Sequence, residues 1–283
     1  PGADQGSTSA VQVNNCQDCV VRNVRVWYTG STPKPHNLDG IATSQGTTGL
    51  IQNCMVDGIP KVGIYVAQDS HDVLVDGCEV RNIDGPIGRV GISVSGSDRI
   101  TIQDCYCHHN ADAGLLIGVN GPIGENPPTP ATNVRVVGGR YNDNTLYGVL
   151  IGSPYNAITP SNVELAGIAA IGNEFRGIGI EAGHDVLITD PTVAGSGNAG
   201  IWAENRPANT SESGPFDPAQ PRTARVQVVN PNVYDNGRTA GVDVPGIAMD
   251  QRDPPDVSVV RGMETMIHAG RQPQRDEAAA AVL

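Results

Sequence analysis

An all-β solenoid is the fold class that this 283-residue sequence predicts, and three observations predict it. The first is a repeat: a glycine, a branched apolar residue, any residue and another mostly apolar residue. It recurs at Gly40, Gly63, Gly91, Gly114, Gly148, Gly177, Gly200 and Gly246, at intervals of 23, 28, 23, 34, 29, 23 and 46 residues. A unit of 23, lengthened only at restricted points, marks a chain in which each repeat buries its apolar face against its neighbours. The second observation is the apolar content, which is Val, Ile, Ala and Leu, with 4% aromatics and only two Phe. That composition suits short strands and supplies no aromatic globular core. The third is the abundance of corner residues, 35 Gly and 21 Pro.

The repeat from Gly91 shows the elements in order. Ile92 and Val94 alternate with Ser93, so a first strand points them inward and Ser93 outward. Gly96, Ser97 and Asp98 turn the chain, Ile100 and Ile102 form a second strand, and Asp104 makes a tight corner. Cys105 and Cys107 then point inward, and His108, His109 and Asn110 lead to the next glycine. Other repeats place second strands at 21–24, 50–54, 73–78, 134–137, 163–165, 186–188, 226–229 and 257–260. Their closing corners are Asn23, Asn53, Gly77, Asp104, Gly139, Gly167, Asp190 and Asn230, all residue types that tolerate a left-handed backbone. Asn110, Asn144 and Asn173 recur four residues before a repeat glycine, a second turn position. No helical period competes.

Three short parallel strands per coil and Asn/Gly corners describe a single right-handed parallel β-helix of about nine coils. It is expected over residues 1–262, with 263–283 as a C-terminal tail or cap. The first coil lacks an amphipathic cap, so its strand edges are expected to be covered by an upstream segment, a partner or a second copy in a homo-oligomer.

The net charge of −12, with Lys34 and Lys61 the only lysines, argues against nucleic acid, whose affinity comes from neutralising phosphates. No apolar run reaches the roughly 18–20 residues of a membrane helix. Six cysteines show no metal-site spacing, and Cys54, Cys78 and Cys105 occupy one repeat position as an inward thiol column. No metal or cofactor is called for.

The segments His109–Gly118, Asp143–Gly152 and Gly172–Glu181 resemble coils of the pectate-lyase-like superfamily, most closely the alginate (mannuronan) C5-epimerases and related carbohydrate-active β-helix proteins. The resemblance runs from Ala10 to Val260 and implies a secreted or cell-surface protein acting on a polysaccharide or oligosaccharide. It also implies a groove on the outer face of the first strand set. The Tyr-Gly-Phe-Asp-Pro-His motif of the epimerases has no Asp-Pro-His counterpart at 38–44 or 62–68. Residues 37–41 resemble only the start of the polygalacturonase signature, with Asp39 as its carboxylate.

On that face, insertions at 119–132, 153–161 and 205–223 all follow a first strand. Glu181, Glu204 and Asp250 share one outward repeat position on three successive coils, about 4.8 Å apart. Paired carboxylates are what glycosidic cleavage requires, one as acid and one as base or nucleophile. Trp202 offers a flat face to a sugar, while Arg206 and Arg252 could orient a carboxylate or hydroxyls. Hydrolysis by this set is the leading expectation; alternatively, the same stripe could hold Ca²⁺. A second group, Tyr65, Lys61, His36 and Asp39, suits the proton abstraction shared by polyuronate lyases and C5-epimerases. A non-catalytic, tailspike-like glycan-binding or adhesion module is the third reading.

Overall fold

The computed structural model describes residues 8–30, 37–120, 129–152, 159–203, 223–237, 246–249 and 259–261. The described strands wind through three parallel sheets, one strand per sheet per turn, as a right-handed β-helix. The first sheet runs through Thr8–Asn14, Leu38–Ser44, Val62–Ala67, Val90–Ser95, Ala113–Asn120, Tyr147–Ile151, Arg176–Ile180, Ile201–Ala203 and Ile247–Met249. The second begins at Cys19–Arg22 and ends at Val259–Arg261, and the third runs from Arg25–Trp27 to Asn232–Tyr234. A short strand, Thr129–Pro130, folds back antiparallel on the end of Ala113–Asn120.

The inward columns make one continuous core. Ile41, Ile64, Ile92, Leu115, Val149, Ile178 and Ile201 stack in register at 0% exposure. The thiols of Cys54, Cys78, Cys105 and Cys107 are buried and unoxidised, as small apolar fillers. A hydrogen bond with the neighbouring Cys78 thiol, followed by burial, pushes Cys54 upward, which keeps it protonated and inert. Cys16 and Cys19, by contrast, form a disulfide across the first corner.

Three second strands, Cys19–Arg22, Gly49–Gln52 and Val73–Asp76, stop two residues earlier than the sequence reading placed them, because the corner residue terminates them. Asn23, Asn53, Asp104, Asp190 and Asn230 all have φ between 49° and 58°. In the fifth coil the corner begins at Gly138 (φ 61°), one residue before Gly139. Between the second and third sheets the connection is always two residues long, from Arg22–Arg25 to Val229–Asn232. Both connections flanking the first sheet vary in length.

At the corner leading back to the first sheet, Asn110, Asn144 and Asn173 form a fully buried ladder. Asn110 Nδ2 donates to Asn144 Oδ1 at 3.0 Å, and Asn144 Nδ2 to Asn173 Oδ1 at 3.1 Å. The same oxygens accept the backbone N–H groups of Asn110 and Asn144, so the corner's polar groups are satisfied inside the protein.

Candidate active site

The repeat glycines break strand alternation. A Cβ on Gly40 would meet Val56 Cγ1 at 2.6 Å, and one on Gly63 would meet Val80 Cγ1 at 2.1 Å. Each glycine therefore faces the core beside the inward residue that follows it, and the residue before it is turned onto the outer face. Two outward columns result. One carries Ala42, Tyr65, Ser93, Leu116, Leu150, Gly179 and Trp202. The other includes Ala113, Tyr147 and Arg176.

Around Glu181 these columns assemble a polar cluster. Tyr147 Oη donates to Glu181 Oε1 at 2.6 Å, and Arg176 Nη1 stands 3.8 Å from the same oxygen. The Tyr147 ring lies over Gly179, where a Cβ would come within 2.7 Å of it. The Arg176 guanidinium lies 4.4 Å from the ring centroids of both Phe175 and Trp202, and Tyr147 meets Phe175 edge-on at 5.5 Å. Tyr147 and Arg176 are buried, so their interactions operate with little solvent screening.

Asp112 sits in the turn before Ala113, and its carbonyl accepts the backbone N–H of Tyr147. Burial raises its carboxyl above the ordinary range; Arg89 opposes this, and the charge of Glu181 adds to it. Burial, with the Glu181 charge and hydrogen bond, likewise holds the Tyr147 phenol protonated.

The second predicted group assembles at the other end of the face. Lys61 Nζ is 3.8 Å from Asp39 Oδ2 and 5.8 Å from the Tyr65 ring centroid. Burial, reinforced by Asp39, pushes the Tyr65 phenol up to about 12. Five strand steps separate Tyr65 from Trp202, roughly 24 Å at the usual spacing, so the two groups are distinct sites on one face.

Of the residues singled out from sequence, the structure thus brings Glu181 and Trp202 together, and Asp39, Lys61 and Tyr65 together. Glu204, Arg206, Asp250, Arg252 and His36 lie outside the described residues. Asp112, Tyr147, Phe175 and Arg176 were not anticipated, although Tyr147 and Arg176 each stand immediately before a repeat glycine. Among the described residues, no group of three or more His, Cys, Asp or Glu is placed to hold a metal ion. Nor is any described helix long and apolar enough to cross a membrane.

Residues 4–163 match the family described as a right handed beta helix region. No curated protein sequence matches. Among solved structures, the chain is similar to the periplasmic alginate epimerase AlgG, with TM-score 0.59 and 15% identity over 79% of this chain and 48% of that one. It is similar to the A-module of the Azotobacter vinelandii mannuronan C-5 epimerase AlgE4, with TM-score 0.59 and 17% identity over 86% and 64%. It is also similar to the enzymatically active domain of tailspike protein 2 of bacteriophage CBA120, with TM-score 0.55 and 12% identity over 90% and 37%. The chain spans about half the length of the AlgG structure, and at these identities the likeness is one of fold.

Proposed function

This chain belongs to the right-handed β-helix family, and we propose that the outer face of its first sheet binds a polysaccharide and hydrolyses a glycosidic bond, with Asp112 as general acid and Glu181 as base or nucleophile. The observation that carries this reading is the pair of electrostatically coupled carboxylates in unlike surroundings. Asp112 is held protonated toward higher pH by burial and by Glu181. Glu181 accepts the Tyr147 hydroxyl and faces Arg176. Such a difference supplies a proton donor in Asp112 and a hydrogen-bond-accepting partner in Glu181. Asp112 would give its proton to the departing glycosidic oxygen. Glu181 would take a proton from the attacking water or attack the anomeric carbon itself. Trp202, braced by Arg176, offers a ring for sugar stacking. Glu204 and Asp250, at the same repeat position as Glu181 on the following coils, remain part of this proposal as further acidic groups, with Arg206 and Arg252 as substrate contacts.

Polysaccharide as substrate class is supported by the structures that share the fold, two alginate epimerases and a tailspike enzyme domain. A secreted or cell-surface location accords with it and with the Cys16–Cys19 disulfide, which persists in oxidising compartments. The test is release of reducing ends from alginate, pectate, xylan and dextran by the intact chain. Hydrolysis abolished by Glu181→Gln and by Asp112→Asn, in variants that still fold, is expected. Full activity in both would overturn the assignment.

One observation favours a second reading: Asp39, Lys61 and Tyr65 do converge, around a phenol that stays a proton donor at neutral pH. Lysine beside a half-buried tyrosine suits carboxylate neutralisation and proton delivery at a uronate, as in lyase or epimerase chemistry. Near-ultraviolet absorbance from an unsaturated product, or solvent hydrogen entering at C5, lost in Tyr65→Phe and kept in Glu181→Gln, would move the chemistry there.

A further inference from the structure

The outer face of the third sheet carries a grouping that the first-sheet chemistry does not use. Trp27, one of two tryptophans in the chain, lies there 60% exposed. In register beside it run Asp57, Arg81 and His108. The neighbouring column reads Arg25, Met55, Glu79, Tyr106 and Arg140.

Asp57, Glu79, Arg81, Tyr106, His108 and Arg140 are held in place by one another. Arg81 donates to Asp57 and to Glu79, each at 3.0 Å. Tyr106 stacks on His108 with centroids 4.1 Å apart, and Arg140 covers the Tyr106 ring at 4.2 Å. Beside this floor a surface hollow of about 330 Å³ opens among Asn23, Arg25, Asn53, Met55 and Glu79.

We propose that this third-sheet face is a glycan-binding site separate from the first sheet, with one sugar ring stacked on Trp27 and its neighbour's polar groups received by Arg25 and Glu79 in the hollow. An exposed indole bordered by fixed, hydrogen-bonding polar groups is the arrangement that takes the apolar face and the hydroxyl rim of a sugar ring. Strands here step about 4.8 Å, close to the length of one sugar residue. A chain laid across them meets a new pair of side chains at each ring. Trp27 and the Tyr106–Arg140 stack, three strand steps apart, span roughly 14 Å of such a chain. The site stands on its own geometry and does not require the first sheet to be catalytic.

The test is affinity electrophoresis of the intact chain in gels containing alginate, pectate, xylan or dextran. Retardation by at least one polysaccharide is expected, weakened roughly tenfold or more in Trp27→Ala, as for loss of an aromatic anchor. Trp27→Phe should restore part of it, Arg25→Ala should weaken it, and Glu164→Gln, on the outer face of the second sheet, should retain it. Failure of all four polysaccharides to retard the chain overturns the proposal, as does wild-type retardation of folded Trp27→Ala. Concentration-dependent self-association lost in Trp27→Ala, with no retardation, would make the face an interface between copies and overturn it equally.

Discussion

The outer faces of the first and second sheets are built from the same repeat and have opposite characters. On the second sheet, Asp98–Gln103 and Thr132–Val137 alternate between buried inward residues and partly or fully exposed outward ones. Outward Arg135 and Glu164 there form an ion pair at 58% and 39% exposure. On the first sheet the edge strand Thr8–Asn14 still alternates, but from Leu38–Ser44 to Arg176–Ile180 the alternation in burial is largely lost. Every residue of Val90–Ser95 is buried, including outward Ser93 and Ser95, and so is every residue of Arg176–Ile180. A strand with one wet face writes its period into its burial; a strand covered on both faces does not. The first sheet thus holds polar groups where water is scarce and charges act strongly. That setting is where perturbed carboxyls and close hydrogen bonds such as Tyr147–Glu181 become useful for chemistry.

The contrast is sharpest in matched substitutions. Glu181→Gln on the first face is expected to lower kcat by on the order of 10²–10⁴, the usual contribution of a positioned acid or base. Glu164→Gln on the second face should leave kcat unchanged in the same reducing-end assay. Equal effects would erase the distinction between the faces. Next in size is Gly179→Ala, whose new methyl would come 2.7–2.8 Å from the Tyr147 ring. Overpacking of this kind costs about 1–3 kcal/mol, and moving Tyr147 off Glu181 should reduce kcat as well. Thermal unfolding and kinetics read the two effects separately.

Titration separates the faces by sign. Asp112 has a raised folded-state value, so its contribution to stability is complete below the ordinary carboxylate range and fades as pH rises through the raised value. Asp185 is lowered by its hydrogen bond to Arg225, so its contribution is present above the ordinary range and fades as pH falls through the lowered value. Asp112→Asn should therefore raise Tm at pH 8 relative to wild type and lose that advantage near pH 3. Asp185→Asn should lower Tm slightly at pH 8 and converge on wild type in acid. Melting curves across pH check both. The same Asp112 should set the alkaline limb of activity, because the acid fails once deprotonated. The smallest effect belongs to Arg225→Gln, which removes an ion pair whose partners are 46% and 41% exposed. It should cost less than about 1 kcal/mol and vanish in high salt.

Much of the fold was legible because its corners leave so few residue choices. A left-handed backbone at Asn53, Asp104, Asp190 and Asn230 selects Asn, Asp or Gly, and those residues stood at matching places in the sequence. The site was legible only in part. Glu181 and Trp202 follow the repeat glycine, where counting by twos from the inward isoleucine or valine works. Tyr147 and Arg176 precede it, and the inward glycine shifts the parity, so the same counting turns them the wrong way. Asp112 lies in a turn, where no period speaks, and its coupling to Glu181 arises only from the stacking of coils. The Cys16–Cys19 disulfide, too, had only its spacing as a signal, one shared with unrelated motifs.

The unvarying two-residue corner between the second and third sheets has an evolutionary meaning. Each left-handed residue there fixes how one coil sits on the next, so an insertion would shift the register of every strand that follows. The connections beside the first sheet carry no such constraint, and their lengths range widely in this one chain. Insertions can therefore remodel the rim of the first-sheet face while the corner on the opposite edge keeps its length. A lineage built this way can change what it recognises without relearning how to fold.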